Sequence, residues 1–329
     1  MRFAATLRGG YLAGSVLGSV LLARPAQGLP PDVEIARFLY DRPAAYSLTF
    51  DDGLVTHITE SVPILDRHGL RGTFFLFIDN IKDDTPSNWM AWRRAAASGH
   101  EVSSHSQTHM DLTQPVGRAV LDNEIIGSYR IIEQKTGIAP LSFAYPYSSV
   151  NDYVRRLVLE TYAFDRADCR VWGGDDFTVE MGIDQIERAI AQREWEYVML
   201  HGVGEYTWGA LEPEHLDALC AYLAANAERI WTDTYARVST YIRKRNGVEV
   251  VRRNVTTESF EFRLRLPDRR EFQGLPDVPL TVRIPLEGRN ARGVQAALRD
   301  EPLPLRTSVD GQYLLAEVPA DGSWVRIVW

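Results

Sequence analysis

The sequence predicts an α/β fold, in which a mostly parallel sheet with helices outside it is followed by a small all-β domain. Between residues 44 and 201, short apolar runs alternate with stretches of helical spacing, which is typical of parallel strands joined by helices. After about residue 247, apolar residues recur at every second position, as they do in half-buried strands. These patterns predict a larger domain at residues 29–246 and an accessory β-sandwich-like domain at residues 247–329.

Residues 1–28 are predicted to form a signal peptide. Arg2 and Arg8 make the start of the chain basic, and residues 11–23 are apolar and small. This run has the length of a signal-peptide core and is short for a membrane span. Ala26-Gln27-Gly28 suits a cleavage site, although an uncleaved N-terminal anchor is the alternative. Both interpretations predict a secreted or periplasmic protein with no other contact with a membrane.

The strands of the larger domain are predicted from short apolar runs, and these are residues 44–48, 72–78, 101–104, 141–144, 162–164 and 197–200. The helices are predicted from apolar residues three or four positions apart, at residues 58–68, 89–97, 118–136, 154–161, 183–192, 213–225 and 231–245. Gly69 and Gly137 end two of these helices, Ser87 is a suitable N-cap, and Pro213 suits a first turn. A sheet of this kind has its site at the carboxyl ends of the strands.

The β domain is predicted from the strict alternation of apolar and polar residues. Phe260, Phe262 and Leu264 alternate with charged residues, and residues 280–284 repeat the pattern. Asp310-Gly311 is a hairpin turn signal, and residues 324–329 predict a last strand.

Charge and cysteine content limit the classes of function. The formal net charge is −8 and the sequence pI is about 5.5, which argues against nucleic acid as a partner. Cys169 and Cys220 are the only cysteines, too few for a zinc site made of thiolates. In an oxidising compartment they could form a disulfide, and the sequence leaves this open.

Polar side chains gather at the predicted strand ends. Asp51 and Asp52 end the first strand, where adjacent carboxylates repel each other unless a cation binds them. His105 and His109 follow the third strand, and two histidines four apart would share one face of a helical turn. His201 ends the last strand. The alternatives are a solvated Asp-Gly turn, a surface histidine pair and a structural histidine. Together, one aspartate and two histidines predict an open zinc-type site.

The predicted strand ends carry four motifs, which are Thr49-Phe50-Asp51-Asp52-Gly53, His105-Ser106-x-x-His109, Tyr145-Pro146-Tyr147 and Leu200-His201. In order and spacing they resemble the motifs of the polysaccharide deacetylase family, also known as the NodB-homology domain or carbohydrate esterase family 4. The resemblance covers residues 44–201, continues more loosely to residue 245, and excludes the β domain. It implies an irregular (β/α) barrel and an enzyme that removes N-acetyl or O-acetyl groups from sugars with a divalent metal.

The resemblance also implies roles for individual side chains. The metal, Zn²⁺ or another divalent ion such as Co²⁺, would be held by Asp52, His105 and His109. Asp51 would be the general base, and His201 the general acid that protonates the leaving amine or alcohol. The backbone N–H of Tyr147 would help to hold the oxyanion.

This chain departs from the family at two motifs. Where the family has the arginine of Arg-x-Pro-Tyr, this chain has Ala144. We predict that Arg166 replaces that arginine and forms a charge-assisted hydrogen bond with Asp51. The alternative is an exposed arginine in an acidic loop. The family's Asp-x-x-Asp-Trp motif is also missing, and residues 164–168 stand near its place.

Aromatic residues in the loops are predicted to stack on the sugar. Tyr145, Trp172 and Trp208 lie near the motifs, as does Tyr206, and ordinary loop packing is the alternative.

The function predicted from these observations is that of a secreted metal-dependent hydrolase. It would remove acetyl groups, N-acetyl in preference, from an acetylated glycan with a water that the metal activates. The alternatives are a catalytically inactive carbohydrate-binding protein on the same fold and an amidase that cleaves a non-sugar C–N bond.

Overall fold

The computed structural model describes residues 30, 32–204 and 207–329. The predicted signal peptide and Tyr206 lie outside the described residues. Within the described ranges, none of the helices has both the length and the apolar composition that crossing a bilayer requires.

The larger domain is built on one parallel sheet. A short strand, β1 (Glu34–Ile35), precedes it and belongs to another sheet. The strands of the parallel sheet are β2 (Ala44–Asp51), β3 (Thr73–Leu76), β4 (Glu101–Ser104), β5 (Ser142–Ala144), β6 (Phe164–Arg166), β7 (Arg170–Val171), β8 (Trp195–Leu200) and β9 (Ile230–Thr232). Their order is β6-β5-β4-β3-β2-β8-β7, and β9 also pairs with β2. Every residue of β2 is buried, as expected for a central strand of a parallel sheet that is covered on both faces.

The sheet curls into an irregular barrel. Its two edge strands, β6 and β7, are joined only by residues 167–169, so the edges must approach each other. The helices around the sheet are α1 (Val62–Arg67), α2 (Trp89–Ala97), α3 (Arg118–Asp122), α4 (Ser128–Thr136), α5 (Asp152–Leu159), α6 (Val179–Gln192), α7 (Pro213–Ala225) and α8 (Tyr235–Gly247). The predicted α/β fold with a C-terminal all-β domain is confirmed.

Two predicted helices begin elsewhere because of their caps. Thr178 accepts a hydrogen bond from Met181 N, so α6 begins at Val179 rather than at residue 183. Trp231 was predicted to be helical but lies in β9, and α8 begins after the cap at Thr234. The predicted helix 118–136 is present as α3 and α4, joined by a π-helical turn at Asn123–Gly127.

The β domain consists of two antiparallel sheets. Its strands are β10 (Glu249–Arg253), β11 (Ser259–Arg265), β12 (Leu280–Pro285), β13 (Gln295–Leu298), β14 (Glu301–Pro302), β15 (Arg306–Thr307), β16 (Tyr313–Val318) and β17 (Trp324–Val328). One sheet has the order β10-β11-β17-β13-β14, and the other β1-β12-β16-β15. The alternating apolar residues of both sheets fill one core.

The two domains share this core and are closely joined. Strand β1 pairs with β12, although it precedes the parallel sheet in the chain. The Tyr241 hydroxyl of α8 donates to Ala36 O at 2.9 Å, and the Lys244 ammonium donates to Val278 O at 3.0 Å. Only Val248 separates α8 from β10. The predicted interval 29–246 therefore contains a strand of the β domain's sheet, and the boundary near residue 247 stays a prediction.

Deleting residues 248–329 is expected to unfold the remaining chain rather than release an intact α/β domain. Five large side chains of that chain are buried in the shared core: Phe38, Leu39, Trp231, Val238 and Tyr241. Exposing each costs about 1.5–3 kcal/mol, and the sum is comparable with the roughly 5–15 kcal/mol stability of a whole domain. Thermal unfolding followed by circular dichroism tests this, with Val309→Ala, a change at a fully exposed residue, as the control. A deleted chain that unfolds cooperatively at the temperature of the full chain would contradict it.

Candidate active site

The candidate site lies at the carboxyl ends of the parallel strands. Asp51 is the last residue of β2, and the chain then turns through Asp52 (φ 80°) and Gly53 (φ 65°). His105 follows β4 and His201 follows β8. These side chains line a cavity of about 490 Å³, which we call the catalytic cavity. A non-glycine residue at positive φ is strained, and such strain is common at functional sites.

Asp52, His105 and His109 form a cluster that could hold a metal ion. One potential ligand atom from each lies within 4.8 Å of the others. The Nε2 atoms of His105 and His109 are 3.8 Å and 3.4 Å from Asp52 Oδ1, which is buried and has no hydrogen-bond partner. His105 Nδ1–H donates to Ala144 O at 2.8 Å, so its Nε2 lone pair faces the cluster. This donor set and the unpaired oxygen fit a divalent cation.

The two histidines are not on a helical turn, and that prediction was wrong. Residues 105–109 form a loop in which Ser106 (φ 75°) and His109 (φ 64°) are left-handed. The buried carboxylate of Glu124 accepts hydrogen bonds from the backbone N–H groups of Gln107 and Thr108, at 3.0 Å and 2.9 Å. Glu124 therefore shapes the loop that brings His109 to Asp52. Its position inside a predicted apolar helix is the signal that could have identified it.

The charges around the two aspartates separate their pKa values. Burial raises the pKa of the Asp51 carboxyl, but the charge and hydrogen bond of Arg166, together with the neighbouring His105 and His201, outweigh burial and hold this pKa below its usual value. Burial and the neighbouring charge of Asp51 raise the pKa of Asp52 to about 6. Burial lowers the pKa of His105 to about 4. At neutral pH, Asp51 is therefore ionised and His105 is neutral, which are the protonation states that the predicted roles of base and metal ligand would require.

Arg166 lies beside Asp51. Its buried guanidinium donates to Asp51 Oδ2, and a second N–H of the group donates to Cys169 Sγ at 2.8 Å. The guanidinium also lies over the Phe75 ring, 5.0 Å from its centroid. In the parallel register, Arg166 pairs directly with Ala144. Arg166 therefore reaches Asp51 from β6. The neighbouring strand β5 ends at Ala144, the position at which the family motif has its arginine.

His201 lies on the other side of Asp52 and is held by a residue that the sequence analysis missed. His201 Nε2 is 3.9 Å from Asp52 Oδ2. Fully buried His57 accepts a hydrogen bond from Leu54 N at 3.2 Å, and its Nε2–H donates to His201 O at 2.9 Å. His57 therefore connects the loop after β2 with the end of β8. A histidine four positions after Gly53 was its only signal.

Two of the predicted sugar-stacking residues are buried, and those predictions are corrected here. Trp172 has no exposed surface, and its indole N–H donates to Gln185 Oε1 at 2.9 Å. The Tyr145 ring is 1% exposed, and its hydroxyl donates to Asp165 Oδ2 at 3.0 Å. Neither ring can stack on a sugar, because other side chains cover both.

Trp208 and Tyr147 remain available to a substrate. Trp208 is 70% exposed, and its ring meets the His201 ring edge to face at 4.8 Å. Tyr147 is 69% exposed, has φ 58°, and meets the His109 ring at 4.8 Å. Cys169 and Cys220 are free thiols and form no disulfide.

Comparisons with known proteins agree with the motifs. Residues 41–163 match the family model "Polysaccharide deacetylase". A chitin deacetylase from Colletotrichum lindemuthianum is 32% identical over 143 residues, which are 42% of this chain and 54% of that protein. A peptidoglycan-N-acetylglucosamine deacetylase from Listeria monocytogenes is 33% identical over 109 residues, 33% of this chain and 22% of that protein.

A gellan lyase from a Bacillus species is 24% identical over 338 aligned positions, 90% of this chain and 13% of that protein. The chain thus spans between 13% and 54% of the length of these relatives. The fold is shared with a protein assigned as a polysaccharide deacetylase from Mycobacterium smegmatis, with a TM-score of 0.52 at 14% identity over 67% of this chain and 96% of that chain. The predicted resemblance to the family is confirmed.

Proposed function

We propose, from the membership of residues 41–163 in the polysaccharide deacetylase family, that this chain hydrolyses acetyl groups of an acetylated glycan, N-acetyl groups in preference. The observation that carries the proposal is the arrangement of Asp52, His105 and His109 beside Asp51, which is ionised and bonded to Arg166. We infer export as well, because the basic residues Arg2 and Arg8 and the apolar run at residues 11–23 have the pattern of a signal peptide.

Each polar group of the site has one task in this reaction. Asp52, His105 and His109 would hold Zn²⁺ or a similar divalent cation, which lowers the pKa of water and polarises the acetyl carbonyl when bound. Asp51 removes the proton from the attacking water, and Arg166 keeps its carboxylate ionised and oriented. His201 gives a proton to the leaving amine. The N–H of Tyr147 donates to the oxygen on which negative charge develops.

Acetate release from a panel of substrates tests the proposal. Chitooligosaccharides, peptidoglycan, acetylxylan and gellan are incubated with zinc-loaded protein, and metal content is measured on the same sample. We expect acetate from at least one N-acetylated glycan. Glycan binding without acetate release from a metal-loaded sample would favour the inactive binding protein. Hydrolysis restricted to small non-sugar amides would favour the amidase.

Arg166→Ala is expected to lower kcat with the metal content unchanged. Groups that orient a metal site from outside the ligand shell commonly change metal affinity or activity about 10- to 100-fold. Because Arg166 orients the base rather than the metal, the loss should appear in kcat. Ala144→Arg added to this variant should restore part of the activity, because residue 144 pairs directly with residue 166. Arg166→Lys should be intermediate, since an ammonium lacks the planar fork. An Arg166→Ala variant as active as the parent would remove Arg166 from the mechanism.

A further inference from the structure

We propose that a second cavity, beyond Trp208, binds the neighbouring sugar of the same glycan and prefers neutral or amino-bearing sugars over anionic ones. This inference rests on the proposed function, because it takes the chain to be an enzyme that acts on a glycan. The flanking cavity, as we call it, has a volume of about 760 Å³. Its lining includes Asp175, Phe177, Thr207, Trp208, Glu212 and His215. A volume in this range is typical of ligand sites.

The flanking cavity continues the catalytic cavity. Thr207 and Trp208 line both, and the exposed Trp208 ring stands against the ring of His201. In the proposed reaction, the nitrogen that His201 protonates is attached to a carbon of the sugar ring, so that sugar would lie next to His201. The following sugar of the polymer then passes Trp208, whose exposed ring can stack on a sugar face.

The wall of the flanking cavity is preformed. Gly174 N–H donates to Ala210 O at 2.8 Å, so the loop after β7 is bonded to the loop after β8. A Cβ atom on Gly173 would lie 2.0 Å from Gly209 O, which shows that the two backbones are in contact. These backbone contacts hold the described parts of the two loops together, which lowers the ordering cost of binding.

The polar groups of the flanking cavity select the charge of its ligand. Asp175 and Glu212 are exposed carboxylates that can accept hydrogen bonds from sugar hydroxyl or ammonium groups. In the described part of the chain, no lysine or arginine lines this cavity, and neither carboxylate forms an ion pair. The negative charge of an anionic sugar would be repelled by both carboxylates. The ammonium group of a glucosamine unit would instead be attracted to them.

Direct binding tests the inference without catalysis. The probes are the trisaccharides of glucosamine, N-acetylglucosamine and galacturonic acid, titrated calorimetrically into the chelator-treated full chain so that the N-acetylated probe is not hydrolysed during the titration. We expect the first two to bind and the third to bind at least about tenfold more weakly, because like charges oppose association. Asp175→Lys and Glu212→Lys should each weaken binding of the glucosamine trisaccharide about tenfold. Asp175→Asn should weaken it less and leave the N-acetylglucosamine trisaccharide bound. Glu133→Lys, an exposed change on α4, is the matched control.

The outcomes separate this inference from the proposed function. Equal affinity of the parent and Asp175→Lys for the glucosamine trisaccharide, in a variant with parental circular dichroism, would overturn the flanking site. Tight binding of the galacturonic acid trisaccharide would overturn its charge preference. Charge-dependent binding without acetate release from any substrate would leave the flanking site in place and contradict the deacetylase proposal instead.

Discussion

Replacing any one of the three candidate metal ligands is expected to abolish acetate release and to lower the metal content. Asp52→Ala, His105→Ala and His109→Ala each remove one of the three donors that the described residues bring to this candidate site. The stabilisation that a bound cation gives to a transition state amounts to several kcal/mol, so the rate should fall about 10³-fold or more. Metal content measured by mass spectrometry is the readout that does not depend on activity.

Chelation provides the second half of this experiment. Dialysis against a chelator should remove activity, and zinc or cobalt should restore it. His68→Ala is the control for loss of a histidine, because His68 bonds to Asp217 outside the site. Full activity in a preparation shown to be free of metal would contradict the assignment of the site.

Asp51→Asn is expected to lower kcat about 10²- to 10⁴-fold with the metal retained, the range for loss of a general base. The substitution keeps the size of the side chain and the three ligands but removes the basic oxygen. It also leaves the buried guanidinium of Arg166 without its carboxylate, which costs roughly 3–5 kcal/mol of the free energy of unfolding. Both kcat and thermal stability should therefore fall.

The two effects can be separated with a double variant. Asp51→Asn combined with Arg166→Gln removes the unpaired charge, so the stability should recover while kcat stays low. Recovery of kcat together with stability would show that Asp51 acts through folding and is not the base. If instead Asp51→Asn loses the metal and Asp52→Asn keeps it, the roles of the two aspartates are reversed.

Local patterns predicted the elements that hold the site, and long-range packing decided the rest. Asp51, His105 and His201 could be found because Asp51 ends β2 and the two histidines directly follow β4 and β8, and the carboxyl ends of parallel strands meet at one edge of the sheet. Strand β1 could not be found, because two residues carry no period and its partner β12 lies far along the chain. Strands β7 and β9 are similarly short.

The errors at single residues have the same origin. Trp172 and Trp208 both lie in loops near motifs, and only the packing around each shows that one is buried and the other exposed. The loop at residues 105–109 has helical spacing in the sequence, but Glu124 of a distant helix imposes left-handed backbone at Ser106 and His109. The secondary-structure propensity of a segment depends on its own residues and gives no information about a side chain, such as Glu124, that bonds to it from elsewhere in the chain.

The connection of the two domains bears on how a polymer would be presented to the site. Because β1 precedes the parallel sheet and β10 follows it, the α/β domain is inserted into the β domain and is not simply appended to it. A module on one flexible linker searches a polymer independently and acts by raising local concentration. Here the only residue between α8 and β10 is Val248, and both domains bury side chains in one core. The β domain therefore keeps a fixed orientation to the catalytic cavity. A glycan long enough to contact both domains would bind to two surfaces that do not move relative to each other.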